Sequence, residues 1–436
     1  MYEKSNYDVI GISRPRTDAK KQLTGTVEYV SDMHLPGMLY AKGVLSTEHH
    51  AKILSIDVSA AKSLPGVHCV ATAEDVPYNL FGVMIEDTPV LAEKKVRYKG
   101  EMVAAVAAET YELACKAAEL VKVEYERLPA VFDPREAMKP GAPIIHEELQ
   151  QVHYDGNIHI VPSTKELYQK LRCGDVEKGF EESDIIIERE FATTPQKPQP
   201  IESFCTLAAP DGDDGLTVWS TQQCVFGNAG QLAAVVKMPQ SKVRVICPAL
   251  GGGFGEKNQL RTEPVTAVLA LMAGKPVKME LSTEESMLFT GTKHAMYLKY
   301  KLGAKKDGTL IALKRECTTA AGAYRSEAVL ITMKVTYWGG GPYNIPNQYA
   351  DCYVVATNKQ IGSAFRGFGM SQPSFAMETM LNMLAGELKM DPVELRRKNI
   401  YRNGDHMATG QAIRAAGAEM VLDKITEMSG WGNSTL

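Results

Sequence analysis

Three short stretches of the sequence combine glycine, amide and arginine residues in a way that suits the binding of an anion. PALGGGFGEKNQ occupies residues 248–259, AAGAYRSE residues 320–327 and IGSAFRGFGM residues 361–370. Glycine lets the main chain approach a ligand closely or adopt positive φ, and backbone amides and arginine bind anionic oxygens. The three stretches therefore predict a site for a large, hydrogen-bond-rich anion, and the phenylalanines beside them suit a flat substrate.

The glycine run does not match either of two common phosphate-binding motifs. A Walker A loop needs a glycine directly before its lysine and a hydroxyl residue after it, but Glu256 precedes Lys257 and Asn258 follows it. The dinucleotide fingerprint that would begin at Gly251 needs a glycine where Glu256 stands. Taken alone, the run is equally consistent with a glycine-rich turn between a strand and a helix.

A mixture of strands and helices must position these stretches. Strand-like segments at residues 215–223 and 242–250 precede the glycine run, and residues 261–281 predict a buried helix followed by a strand. Thr110 is predicted to cap a helix, and residues 374–400 are predicted to form one helix. Strands and helices do not alternate regularly, so we expect an α+β protein rather than a doubly wound sheet.

Composition excludes several classes of protein. The 436 residues are 44% hydrophobic and 23% charged with a net charge of −4, which suits two or three globular domains and predicts no nucleic-acid or membrane partner. No apolar run has transmembrane length and residues 1–18 lack an apolar signal segment, so a cytoplasmic location is expected. The eight cysteines form no CxxC pair, which argues against zinc or iron–sulfur ligation by this chain.

The order of STQ, GGGFGxK, AGxxR and AFRGFG along the chain resembles the molybdenum-cofactor subunit of the xanthine dehydrogenase and aldehyde oxidase family. Residues 25–67 and 96–134 resemble the hammerhead α/β domain of that family. The resemblance extends over about residues 9–430. It implies an α+β fold, with a hammerhead α/β domain at residues 1–147 and the first half of a mixed α/β molybdopterin-binding module at residues 148–436.

The resemblance assigns cofactor contacts to the main chain and to two side chains. A family glutamine at the position of Gln222 hydrogen-bonds an oxo ligand of molybdenum, and an arginine at the position of Arg366 contacts the cofactor. Backbone amides at Phe254 and Gly255 would face the metal's ligands and the pterin. The residues expected to bind the cofactor are Gln222, Gly252, Gly253, Phe254, Gly255 and Arg366. Molybdenum would be held through the pterin dithiolene and take no direct ligand from this chain.

Three positions are expected to contact the substrate: Asn258, Arg325 and Phe368. Purine-oxidising relatives carry a glutamate where this chain has Asn258, which cannot offer a carboxylate. Arg325 would hold a substrate oxygen through two hydrogen bonds, and Phe368 would pack against a flat ring. These features favour an N-heteroaromatic acid or ketone such as nicotinate, with a purine left open. AFRGFG lacks the cysteine found there in carbon monoxide dehydrogenases.

The general base of the family is a glutamate in the last part of the molybdopterin module, beyond the point where this chain ends. We therefore expect no catalytic residue in this chain and a general-base glutamate on a second molybdopterin subunit. Glu256 is a weaker candidate, for which a supporting role is favoured, and Glu202 has no assigned role. The resemblance implies a split enzyme with a molybdenum–molybdopterin cofactor in its dinucleotide form, and with iron–sulfur clusters and FAD on separate partner subunits.

The activity implied by the resemblance is hydroxylation of an N-heteroaromatic small molecule with water as the oxygen source. Three alternatives remain: an aldehyde oxidoreductase subunit, an aryl-CoA reductase subunit, and a non-catalytic scaffold that carries the cofactor. The chains that co-purify with this one discriminate between them. A partner with a glycine-flanked glutamate supports the enzyme, and its absence supports the scaffold.

Overall fold

Strands occur along most of the chain in the computed structural model, which describes residues 8–212 and 214–432. Residues 1–7 of the N-terminal stretch and residues 433–436 of the C-terminal end lie outside the described residues. The strands are β1 (Leu39–Leu45), β2 (Ala51–Asp57), β3 (Val67–Ala71), β4 (Leu80–Phe81), β5 (Thr88–Pro89), β6 (Lys95–Val96), β7 (Met102–Ala108), β8 (Lys122–Arg127), β9 (Tyr154–Asp155), β10 (Ile158–His159), β11 (Gln169–Cys173), β12 (Ile185–Thr193), β13 (Cys205–Asp211), β14 (Gly215–Ser220), β15 (Val243–Ile246), β16 (Val277–Glu280), β17 (Met296–Ala304), β18 (Leu310–Gly322) and β19 (Asn347–Ala356).

Helices fall between the strands without a regular βα alternation, as expected. They are α1 (Ala19–Leu23), α2 (Ser59–Lys62), α3 (Tyr111–Leu120), α4 (Pro134–Ala137), α5 (Val176–Glu181), α6 (Val225–Val235), α7 (Glu263–Ala273), α8 (Thr283–Phe289), α9 (Ala328–Trp338), α10 (Ser371–Leu388), α11 (Pro392–Asn399) and α12 (Ala418–Ser429). In the part of the chain that the structure describes, no helix is both long and apolar enough to cross a bilayer.

The first seven-stranded sheet joins the N-terminal part of the chain to the later part. Its order is β15-β14-β13-β16-β1-β7-β3. The junction is a parallel pair in which Leu39 of β1 lies opposite Val277 of β16. Strands from both sides of the predicted division at residue 147 therefore share one sheet, and that division stays a prediction about domain organisation.

Strand β7 shows why this sheet is buried on both faces. Ala105 and Ala107 belong to the apolar cluster that α7 fills, whereas Ala104 and Val106 belong to a second cluster with Ala117 of α3. Successive side chains of a strand point to opposite faces of the sheet. A strand covered on both faces is therefore apolar throughout, and small side chains let the covering helices pack close to it.

The second seven-stranded sheet has the order β12-β17-β18-β19-β10-β9, and β11 also pairs with β19. Strands β17 and β18 form an antiparallel hairpin whose turn lies at residues 306–308, where the sequence predicts it. Strands β18 and β19 pair in parallel and are connected through α9. Helix α10 packs on β17, and its Met380 and Leu384 share a core cluster with Leu298.

Two of the predicted helices are confirmed and a third is corrected. The Thr110 hydroxyl accepts a hydrogen bond from the Leu113 backbone N–H and caps α3, and α7 is buried and followed by β16 as expected. The single helix predicted for residues 374–400 is instead two helices, α10 and α11. Lys389 ends α10 with a left-handed backbone, and Pro392 begins α11 because proline fits the first turn of a helix but breaks its interior.

Candidate functional site

Two loops lie side by side and form an open cleft. The glycine loop (residues 248–259) follows β15, and the arginine loop (residues 361–370) leads into α10. The backbone N–H of Arg366 donates a 2.8 Å hydrogen bond to the carbonyl oxygen of Phe254 and joins them. The cleft has a volume of about 400 Å³, and its lining residues are Gln223, Phe254, Gly255, Ala364, Phe365, Arg366 and Phe368. Sequence positions more than a hundred residues apart thus meet at one site.

The backbone of the cleft is unusually rich in positive φ angles. Gly252 and Gly255 have φ angles of 106° and 102°, and the non-glycine residues Phe254 and Phe368 have φ angles of 56° and 42°. A left-handed conformation at a non-glycine residue costs roughly 1–3 kcal/mol and persists where the surrounding structure holds it. Two strained phenylalanines on facing loops therefore mark this cleft as a candidate functional site.

Packing against the protein explains why the glycine loop carries so many glycines. A Cβ on Gly251 would lie 2.6 Å from the Glu202 Cβ, and one on Gly253 would lie 2.6 Å from the side-chain carbon of Gln223. A Cβ on Gly255 would lie 3.1 Å from the backbone of Ala364 in the arginine loop. The glycines thus let the loop pack closely against Glu202, Gln223 and Ala364. The opposite side of the loop stays open for a ligand.

A buried ion pair holds the glycine loop from beneath. The Lys257 ammonium lies 2.9 Å from a Glu202 carboxylate oxygen and 2.8 Å from the Glu202 backbone oxygen. The same carboxylate accepts a 2.7 Å hydrogen bond from the Gly251 backbone N–H. Sequence reasoning assigned Glu202 no role, because its partners are distant in sequence and no local pattern links them. Its role here is to fix both ends of the glycine run.

A second buried ion pair accounts for Glu256. Its carboxylate lies 2.8 Å from the Lys197 ammonium and accepts a hydrogen bond from the Thr290 hydroxyl. Burial lowers the pKa of Lys197 to about 8, although the charge of Glu256 opposes this shift. Glu256 is fully buried and does not line the cleft. In this structure it supports the loop, and it does not face the space where a substrate would bind.

Glu327 ties the glycine loop to the arginine loop. Its buried carboxylate accepts a 2.6 Å hydrogen bond from the Asn258 side chain and a 2.9 Å hydrogen bond from the Ala364 backbone N–H. Burial raises the pKa of Glu327, and these two donors oppose the shift. Asn258, expected to read the substrate, has its amide committed to Glu327 and does not line the cleft. The sequence motif contained Asn258, but gave no signal for its partner.

Gln222, expected to contact the cofactor, lies behind the cleft wall. Its amide nitrogen donates to Glu263 at 2.7 Å and to the Gln259 carbonyl at 3.1 Å, and its oxygen accepts from Asn228. The neighbouring Gln223 lines the cleft and accepts a hydrogen bond from the Gly255 backbone N–H. A cofactor contact by Gln222 would require it to exchange one of these partners, so its role stays a prediction, and Gln223 joins it as a candidate.

Arg325 does not reach the cleft, contrary to the expectation that it holds a substrate oxygen. Its backbone N–H donates to the Asp87 carboxylate at 2.8 Å, and its fully buried guanidinium lies near Tyr154 and His159. None of the three guanidinium nitrogens has a partner among the described residues. The motif placed Arg325 in the correct loop, but Asp87, which is distant in sequence, holds the backbone that directs its side chain inward.

Lys334 is a cation beside the cleft that sequence reasoning missed, although it is not part of the cleft lining itself. It lies on α9, and its ammonium is 4.7 Å from the centroid of the Phe368 ring. Phe368 lines the cleft, and its contact with a substrate stays a prediction. Within residues 8–212 and 214–432, Lys334 forms no ion pair. The sequence shows only an apolar helix with one lysine. That pattern does not predict which loop the lysine side chain will contact.

The donor groups of the cleft suit a large anionic ligand. Among the residues that the structure describes, the backbone N–H of Phe254 in the cleft has no acceptor, nor do those of Gly252 and Gly253 just before it in the loop, and the exposed Arg366 side chain has no ion pair. Unpaired backbone amides and guanidinium groups bind phosphate and other anionic oxygens. The exposed ring of Phe254 offers a flat apolar face. These residues fit a pterin cofactor that carries phosphate.

Comparison with protein families agrees with this site. Residues 159–400 match the molybdopterin cofactor-binding domain, and residues 24–129 match the a/b hammerhead domain of aldehyde oxidase and xanthine dehydrogenase. The order of the two matches confirms the predicted fold, with a hammerhead unit followed by a mixed α/β cofactor-binding module. The residues of the cleft at positions 254 and 366 fall within the cofactor-binding match.

Individual relatives cover nearly all of this chain. The nicotinate dehydrogenase large molybdopterin subunit of Eubacterium barkeri is 36% identical over 424 residues, which is 97% of this chain and 96% of that protein. A probable xanthine dehydrogenase subunit of Bacillus subtilis is 38% identical over 418 residues, 95% of this chain and 54% of that protein. The solved aldehyde oxidoreductase of Desulfovibrio gigas is 32% identical with a TM-score of 0.89, covering 95% of this chain and 46% of that one.

The chain thus spans about half the length of two of these relatives and nearly the full length of the third. The matched cofactor-binding domain includes both loops of the cleft, whose donors fit the cofactor that gives the domain its name. This chain belongs to the xanthine dehydrogenase and aldehyde oxidase family of molybdenum-containing oxidoreductases, as a molybdopterin-binding member.

Proposed function

We propose that this chain is the cofactor-binding subunit of a multi-subunit molybdenum hydroxylase that oxidises a flat N-heteroaromatic acid, of which nicotinate is the simplest. The observation that carries this proposal is the similarity over 96% of the length of a nicotinate dehydrogenase large molybdopterin subunit. The proposed partners are a second molybdopterin subunit with the general-base glutamate, an iron–sulfur subunit and an FAD subunit.

When bound, a molybdenum–molybdopterin cofactor, proposed here in its dinucleotide form, supplies two-electron oxidation with oxygen taken from water. The residues of this chain would hold it. The free N–H of Phe254 and the exposed guanidinium of Arg366 would bind anionic oxygens of the cofactor. The cofactor contact also depends on Gly252, Gly253 and Gly255, because the lack of a side chain at these positions lets the glycine loop pack against Pro200, Gln223 and Ala364.

Lys334 and Phe368 would position the substrate. The Phe368 ring lines the cleft and can stack on a heteroaromatic ring, while the Lys334 ammonium beside it can bind the carboxylate of an acid. A cation without a carboxylate partner beside an aromatic face favours a flat anion over a neutral aldehyde. In this proposal Lys334, rather than Arg325 or Asn258, is the polar residue that contacts the substrate.

Replacement of Lys334 by methionine is expected to raise the KM for nicotinate by about ten- to a hundredfold, since a charge-assisted hydrogen bond contributes roughly 1.5–3 kcal/mol. Steady-state kinetics of the intact complex measure this effect. Lys334→Arg should restore part of the affinity, and oxidation of benzaldehyde should change little.

Lys301 offers a matched control for this experiment, because its ammonium also lies over a phenylalanine ring, 4.3 Å from the centroid of Phe180, but away from the cleft. Lys301→Met should leave the KM for nicotinate unchanged. Unchanged kinetics in Lys334→Met, or an equal loss in both variants, would show that Lys334 does not hold the substrate.

The proposed function is tested by purifying the chain with its natural partners and measuring molybdenum content and substrate turnover. We expect molybdenum in the complex, a co-purifying chain with a glycine-flanked glutamate, and oxidation of nicotinate. An aldehyde oxidoreductase is the second candidate, favoured by the structural similarity to the Desulfovibrio gigas enzyme. Turnover of aldehydes without turnover of heteroaromatic acids would select that candidate, and a complex without molybdenum would refute both.

A further inference from the structure

A second pocket lies at the junction of the N-terminal unit and the second sheet. It adjoins the cleft, because the ammonium of its Lys293 lies 5.1 Å from the centroid of the Phe365 ring in the cleft wall. This basic pocket has a volume of about 250 Å³. His49 and Lys99 line it from the N-terminal unit, and Lys293, His294 and Lys359 line it from the later part of the chain. It shares no lining residue with the cleft, and the function proposed above does not use it.

The charged side chains that line the basic pocket are all cationic. Lys99, Lys293 and Lys359 contribute ammonium groups, and no aspartate or glutamate of the described chain lines it. None of the three lysines forms an ion pair within the described residues. Asp133 is the carboxylate that acts on Lys359, but Arg135 already binds it. Cations that line one pocket without a counter-charge attract an anion, and here Lys293 is half-buried while Lys99 and Lys359 are exposed.

Two residues of the lining, His294 and Thr357, each have a buried polar atom without a partner among the described residues, Nε2 and Oγ1, and both atoms have almost no accessible surface. His294 Nδ1 lies 2.8 Å from the Ala320 carbonyl oxygen, which can only accept, so Nδ1 carries the proton and Nε2 is an acceptor. Burial lowers the pKa of His294 to about 4, which keeps the ring neutral near pH 7. A buried polar atom without a partner costs roughly 1–3 kcal/mol, so a ligand that pairs with it gains affinity.

The remaining wall of the basic pocket is largely apolar. Pro195, Met287 and Leu288 contribute to it. A site with a few converging polar groups on an apolar wall is typical of small-molecule binding. Inorganic ions would satisfy the lysines but leave the apolar wall in contact with water. The lining therefore favours an anion that carries an apolar body.

We propose that the basic pocket binds a small organic anion. Its carboxylate or phosphate group lies among Lys99, Lys293 and Lys359, its body packs against Met287 and Leu288, and a hydrogen-bonding group pairs with His294 and Thr357. The inference does not depend on the proposed substrate of the cleft, because no residue is shared between the two sites.

Isothermal titration calorimetry on the full chain tests this inference at fixed ionic strength. The probes are benzoate, phenyl phosphate and the neutral analogue benzamide. The chain carries Lys334→Met and Arg366→Met, which remove the cation beside the cleft and the cation that lines it, so that heat from anions bound at the cleft is minimised. We expect saturable binding of at least one anion, with benzamide bound about tenfold more weakly or not at all, because it lacks the charge. Whichever of benzoate and phenyl phosphate has the lower Kd shows whether the pocket prefers a carboxylate or a phosphate.

Further substitutions locate the binding. Lys293→Met should weaken the anion by about tenfold and Thr357→Val by about threefold, because the first removes a charged partner of the ligand and the second a neutral one. Lys116→Met, at an exposed lysine of α3, is the control and should have no effect. If Thr357→Val is unstable, Lys99→Met at the exposed rim replaces it. No saturable binding of either anion at about 10 mM, equal affinity for benzamide, or an equal weakening in Lys116→Met would overturn the inference.

Discussion

Replacement of Gly255 by alanine is expected to remove most of the molybdenum from the purified protein while the chain stays folded. The residue has a φ of 102°, and a Cβ there would lie 3.1 Å from the Ala364 backbone carbon across the cleft. Strain of roughly 1–3 kcal/mol at this contact corresponds to about a five- to 150-fold loss of cofactor affinity. The two loops would have to separate, and the donors that face the cofactor would no longer converge.

Elemental analysis of molybdenum per chain measures this effect, and thermal unfolding reports whether the variant is folded. Gly274 is a matched control because it also has a positive φ, of 62°, but a Cβ there would meet nothing within 4 Å. Gly274→Ala should strain the end of α7 yet keep its molybdenum. Full molybdenum content in a folded Gly255→Ala chain would contradict the proposed role of this cleft.

Replacement of Glu202 by leucine is expected to lower the free energy of unfolding by about 3–5 kcal/mol, the usual cost of leaving one member of a buried ion pair without its counter-charge. Lys257 is fully buried, and its ammonium would keep the backbone oxygen of residue 202 as its hydrogen-bond acceptor and the Phe204 ring, 5.7 Å away, as its other contact. The Gly251 N–H would lose its acceptor as well. Denaturant unfolding of the full chain measures the change.

The exposed pair of Glu188 and Lys299, 3.2 Å apart, provides the control. Glu188→Leu should cost at most about 1 kcal/mol, because water screens exposed charges. The double variant Glu202→Leu/Lys257→Met should recover part of the stability, since it removes the unpaired charge. A destabilisation in Glu202→Leu no larger than in Glu188→Leu would show that the buried pair does not hold the glycine loop.

The free energy of unfolding of the Glu202→Leu variant is expected to increase with pH. Burial already lowers the pKa of Lys257 in the native chain, and Glu202 opposes that shift. Without Glu202 the folded pKa falls further below the unfolded value of about 10.4. The unfolded state then binds more protons between the two values, so the stability of Glu202→Leu should rise with pH across that range. Unfolding measured at several pH values checks this trend.

Local patterns predicted the elements of the fold where the deciding interactions are local. Thr110 caps its helix through a hydrogen bond within one turn, and the glycine turn of the β17–β18 hairpin lies where the sequence places it. The helix prediction for residues 374–400 failed at one point, because apolar periodicity continues across Lys389 and Pro392 although the backbone does not. Proline was the available signal, and it outweighs periodicity because it cannot continue a helix interior.

The candidate site could be predicted only in part for a similar reason. Motif order placed Phe254 and Arg366 at one cleft, and both loops are there. The orientation of Arg325 and the partner of Asn258 depend on Asp87 and Glu327, which no local spacing connects to them. Side-chain direction is decided by such long-range partners. A motif therefore identifies a loop more reliably than it identifies which of its side chains faces the ligand.

The shared first sheet has a consequence for how the chain acquires its structure during synthesis. Strand β1 lies between β7 and β16, and β16 begins at Val277. Until residue 277 leaves the ribosome, one edge of β1 has no partner and stays open to pairing with other chains. Late closure of a parallel pair is slow because distant segments must meet first. We therefore expect a fragment that ends at residue 147 to associate or to require a chaperone, although it contains an entire hammerhead sequence.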